Sequence, residues 1–126
     1  MNLAEAFAEA ERLSRLIDAG IDALRTQSVA LAEAERTYRK SKAEAWVRCP
    51  RDSDPKARSW TAGRREAWVD AETADLRFER DVADGMRQAA LEAVRARRAQ
   101  LSALQTLMNA HGEEAKFIRT TGGVGA

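Results

Sequence analysis

The stretch LAEAFAEAERLSRLIDAGIDALRTQSVALAEAERTYRKSKAEAWV, residues 3–47, decides the fold class. It holds no proline and only one glycine, Gly20. Leu3, Ala10, Ile17, Leu24, Leu31, Tyr38 and Ala45 recur every seven residues as one apolar row. Such a row is the mark of a helix packed along a coiled-coil seam. A companion row four residues after each of these reads Phe7, Ser14, Ile21, Ser28, Glu35 and Lys42. It is apolar early and charged late, so the seam should be tightest near the N-terminus. Leu13, Leu16 and, further along, Leu107 widen the apolar face. Asn2 is a good N-cap, and Glu5 stands where it completes a capping box.

Outward from this helix, both prolines of the chain, Pro50 and Pro55, fall in the segment that follows it. Proline stops a helix, so a first helix over about 3–48 should give way to a bend over about 49–60. Asp54 before Pro55 reads as an N-cap with proline at the first helical position, and Thr61 is a second possible start. The second helix should run over about 61–111. Its early apolar residues, Phe78, Val82, Met86, Ala90 and Val94, recur every four positions. The later ones, Leu101, Leu104, Met108, His111, Ala115 and Ile118, alternate threes and fours. Gly112 reads as a C-cap, followed by a short helical turn over 113–119 and a flexible tail over 120–126. The expected architecture is all-α: one helical domain over 1–119, two long amphipathic helices in a coiled-coil-like hairpin. Two helices bury little, so homo-oligomerisation should complete the core.

Composition agrees, with 26 alanines among 126 residues and only seven aromatics. The single cysteine, Cys49, excludes an internal disulfide and suits a reducing compartment. No leader-like start and no long apolar run is present, so the chain is expected in the cytoplasm, without a membrane span. His111 is the one histidine, no Cys/His ligand spacing occurs, and the terminal Gly122-Gly123-Val124-Gly125 follows no strand. These features predict no enzyme, no cofactor and no metal.

Net charge is +1 but sorted along the chain. Residues 36–65 hold ten basic and three acidic groups, whereas residues 66–92 hold three basic and eight acidic groups. Tyr38, Trp46 and Trp60 lie inside the basic block, and Trp68 follows it. Cations neutralise phosphates and exposed rings stack on unpaired bases, so the block suits single-stranded nucleic acid. The candidate contacts are Lys40, Lys42, Trp46, Arg48, Arg51, Arg58, Trp60, Arg64 and Arg65. Arg95, Arg97 and Arg98 form a smaller cluster. An alternative reading makes the basic block a solvated face neutralised by the acidic 66–92 segment. Tyr38 is then core, and the protein a structural or adaptor module that binds another protein.

The run from Tyr38 to Trp46, the proline-containing break, Arg65 to Ala71, and Ala90-Leu91-Glu92-Ala93-Val94-Arg95-Ala96-Arg97 together resemble small helical phage proteins, the UvsY-type recombination mediators. Lys40, Lys42 and Trp46 match that family's basic pair and following aromatic, while the bend here lacks the family's glycines. The resemblance spans about residues 30–100. It implies a phage-type accessory protein that binds single-stranded DNA, forms ring-like oligomers and meets a recombinase and a single-strand binding protein.

Overall fold

The computed structural model of the protein describes residues 1–50 and 60–124, the last ten of these in backbone only. The described residues form three helices and no strand: α1 Leu3–Arg48, α2 Ala62–Glu72 and α3 Ala74–Val124. The capping box at the start of α1 is formed in both directions. Glu5 N donates to Asn2 Oδ1 at 2.8 Å, and Asn2 N donates to Glu5 Oε2 at 3.1 Å. Thr61 caps α2, its Oγ1 accepting from Arg64 N at 3.2 Å. Asp54 and Pro55 lie outside the described residues.

The second helical region departs from the sequence expectation in three ways. A single helix over 61–111 is instead two, α2 and α3, meeting at Thr73. Thr73 is buried, with φ −109° and ψ 8°, and both its N–H and its Oγ1 donate to Val69 O, at 3.1 and 2.8 Å. Its backbone leaves the helical region for this one residue, and α3 resumes directly, Arg77 N donating to Thr73 O at 3.0 Å. Gly112 is not a C-cap, because no described glycine has positive φ and α3 passes through it. The turn over 113–119 and most of the expected tail are therefore part of α3, whose backbone stays helical to Val124. Extending a formed helix fixes one residue per added hydrogen bond, so one glycine costs only about 1 kcal/mol and does not stop it.

The chain divides into two compact units, Met1–Ala23 with Ala90–Ala126, and Leu24–Ala89. In the first, Ala6, Leu13 and Leu104 form a buried cluster with Ala10, Leu101 and Met108 packed on it. Ile17 and Val94 are also buried, and a Cβ on Gly20 would lie 2.9 Å from Val94 Cγ2, so α1 and α3 approach closely there. In the second unit, Ala45, Cys49 and Val69 form a buried cluster covered by Trp60 and Trp68. Tyr38 is buried as well, and the Arg80 guanidinium stands 4.7 Å from its ring centroid.

Two of the sequence rows are corrected by this packing. The seven-residue row is buried at Ile17, Tyr38 and Ala45, but its companion in the first unit is offset by three, as Ala6, Leu13 and Gly20. The predicted companions Phe7 and Ser14 face solvent. The four-residue row of α3 fails for a geometrical reason. Four residues turn a helix by about 400°, so the row creeps by roughly 40° per step. It reaches the buried face at Val94 and half-buried Ala90, but Met86, Val82 and Phe78 are 51%, 44% and 68% exposed. The true inner row of α3 within the second unit passes through Leu76, Arg80, Ala83 and Arg87, all half-buried, and is markedly polar.

Candidate nucleic-acid interface

The last part of α1, residues 36–48, carries five basic side chains and one acidic. Where each of them points follows from the helix turn of about 100° per residue. Tyr38 and Ala45 define the buried direction. Arg39, Lys42 and Trp46 then fall on one flank, spaced three and four residues apart, where side chains meet. Trp46 is 42% exposed, and Lys42 is half-buried with Nζ 5.8 Å from the Tyr38 ring centroid. Arg39 remains 78% exposed while lying 3.8 Å from Glu35, a loose surface pair of little energetic weight.

Lys40 and Lys42 do not share this flank. Residues two apart point to nearly opposite sides of a helix. Lys40 is exposed on the outer face with Arg36 and Val47, away from the buried row. Arg48 lies on the other flank, where its Nη1 is 3.9 Å from the Glu72 carboxylate of α2.

The remaining candidates are arranged around the start of α2. Thr61 as N-cap sets the first turn of α2, so Arg64 stands one turn after Trp60. Its guanidinium covers the Trp60 ring at 4.1 Å from the centroid. With Trp60 also packed on the Ala45–Cys49–Val69 cluster, its ring is engaged on protein. Arg65 is half-buried. Arg51 and Arg58 lie outside the described residues. The structure thus brings Lys42 and Trp46 together and directs Lys40, Arg48 and Trp60 elsewhere. Arg39 joins the pair, a partner that helical spacing alone would have singled out.

Elsewhere, electrostatics act locally. The Arg12 guanidinium grips Glu9 at 2.6 Å and holds that exposed carboxyl below its ordinary value. A hydrogen bond to Asp81 holds Arg80 above its ordinary value. An apolar groove of about 320 Å³ opens in the first unit, lined by Leu3, Ala6, Leu104, Leu107, Met108 and His111 among others. Among the described residues no three metal-ligating side chains converge, and no helix is long and apolar enough to cross a membrane. Comparison with protein-family models, with curated proteins and with solved structures finds no match to this chain.

Proposed function

We propose that the chain is a non-enzymatic helical accessory protein that binds single-stranded DNA non-specifically along the Arg39–Lys42–Trp46 flank of α1. The observation that carries this reading is a partly exposed tryptophan on the same flank as two cations, in a helical stretch with five basic groups and one acidic. A ring with one free face can stack on any base, and the cations can follow the phosphates. No arrangement for reading base edges accompanies them, so affinity depends on charge and stacking. In this reading α1 and α3 pair as a coiled-coil hairpin, copies of the chain self-associate, and the assembly works in the host cytoplasm as a phage-type recombination mediator. A recombinase and a single-strand binding protein are its partners in that role, on the resemblance of Lys40, Lys42, Trp46 and the Ala90–Arg97 stretch alone.

The rival reading, an adaptor that binds another protein, draws on the exposed Phe78, Val82 and Met86. Substitutions on the flank and on the outer face of α1 separate the two. Lys42→Ala combined with Trp46→Ala is expected to weaken binding of an oligo-dT strand by roughly ten-fold or more, at the stacking energies such rings supply. Lys40→Ala, on the outer face, should change it by less than about three-fold, the weight of one peripheral phosphate contact. Equal losses from Lys40→Ala and Lys42→Ala, measured by fluorescence anisotropy on variants of unchanged helicity, would contradict the flank.

A further inference from the structure

Two exposed rows on the second unit lie outside its packed face. On α3, Asp75, Phe78, Glu79, Val82 and Met86 are all exposed, Phe78 at 68%, although Phe, Val and Met at helical spacing normally find cover. On α1, Val29, Arg36, Lys40 and Val47 are exposed in a row spaced seven, four and seven, with Val47 at 73%. The α1 row lies opposite Tyr38, the ring on which Arg80 of α3 packs, whereas the α3 row lies on a flank about a quarter-turn from Leu76, Arg80, Ala83 and Arg87. A single chain therefore cannot bring its own two rows together.

The rows are complementary in charge and in order. Laid parallel, Arg36 meets Asp75, Lys40 meets Glu79, Ala43 meets Val82 and Val47 meets Met86, all at one constant offset in numbering. The paired stretches, 36–47 and 75–86, each cover about 16 Å at the helical rise of 1.5 Å per residue. Basic residues thus face acidic ones at one end and apolar residues face apolar ones at the other. Phe78, also exposed, lies beside this row. The surrounding sequence has the same bias, acidic over 66–92 and basic over 36–48.

We infer that the Asp75–Met86 face of α3 in one copy takes the Arg36–Val47 face of α1 from a second copy, a head-to-tail contact between two different surfaces. The inference rests on the self-association in the reading above and not on its DNA-binding flank. Arg39, Lys42 and Trp46 stay outside the contact, which explains how two lysines two residues apart serve different partners. A contact of this kind leaves one face open at each end, so assembly continues beyond two copies.

Sedimentation equilibrium of the full chain without nucleic acid tests it, across a concentration series at low salt. Wild type should rise well above the one-chain mass of 13.9 kDa. Arg36→Glu/Lys40→Glu should stay at that mass, and so should Val82→Asp/Met86→Asp, each with unchanged helicity. Mixed in equal amounts, the two variants should form a one-to-one pair and stop, because each retains the face the other lacks. Wild type remaining at one-chain mass, or either variant keeping the wild-type mass, would overturn the contact. So would a mixture that stays monomeric. A one-chain protein that still binds oligo-dT would overturn this inference and leave the DNA-binding reading standing.

Discussion

Gly20→Leu is expected to lower the stability of the protein by about 2–3 kcal/mol, and Val94→Ala in the same chain to restore much of the loss. Helix propensity alone predicts the opposite sign, because removing a glycine from a helix interior gains up to about 1 kcal/mol. The contact decides between them. Even a Cβ at this position would lie 2.9 Å from Val94 Cγ2, and a β-branched side chain on a helix has essentially one rotamer to offer. Val94 is only 2% exposed, so it has no room to turn away. A leucine therefore forces the two helices of this unit apart, and trimming Val94 makes space for it. Gly85 and Gly112 are the internal controls, since an added Cβ meets nothing within 4 Å at either. Alanine at those positions should stabilise by up to about 1 kcal/mol. Urea unfolding followed by helical circular dichroism, arranged as a double-mutant cycle, reads all of these. A neutral Gly20→Leu would mean that the helices do not approach there.

Val69→Asp should cost more, on the order of 3–5 kcal/mol, and collapse the packing around Trp60 and Trp68. Val69 is fully buried, against Ala45 and Cys49 and beneath both tryptophans. A carboxylate there loses its hydration. Burial raises the folded-state pKa of such a group above its unfolded value. The penalty is then present in full above the folded-state pKa and absent below the unfolded pKa near 4. Stability relative to wild type should accordingly recover part of the way as pH falls from 7 to 4. Val69→Ala, which only removes apolar contact, should cost about 2 kcal/mol with no such pH dependence. Near-ultraviolet circular dichroism of the tryptophans follows the packing directly. An aspartate variant as stable as the alanine variant at pH 7 would place Val69 at the surface.

How far the structure could be read from the sequence depended on how local the determinant was. The first helix and its cap were legible because Asn2, Glu5 and Pro50 act within a turn of where they stand. Thr73 was not, since serine and threonine elsewhere make the same bond to the previous turn without ending a helix. Ser28, Thr37 and Thr106 do so on the carbonyls of Leu24, Glu33 and Ser102. What sets Thr73 apart is burial beside Val69, a tertiary fact. The Phe78–Met86 row misled because a spacing of four looks helical while slowly leaving the buried face. The candidate site was legible in composition and blurred in geometry. A run of nearby cations reads as one patch along the sequence, yet a helix sends Lys40 and Lys42 to opposite sides. Arg39 could have been found by asking which cation lies three or four residues from Lys42. That Trp60 is covered by Arg64 depends on the Thr61 cap and could be seen only in the structure.

A titration of the wild-type chain shows whether one flank of α1 holds single-stranded DNA. Labelled oligo-dT anisotropy and tryptophan emission would be followed together at about 50 and 300 mM salt, a range over which release of several counterions weakens binding many-fold. Binding is expected at the lower salt and should fall steeply at the higher, with quenching that is lost in Trp46→Phe. Absence of binding at the lower salt by a properly folded protein would contradict it and favour the protein-binding adaptor.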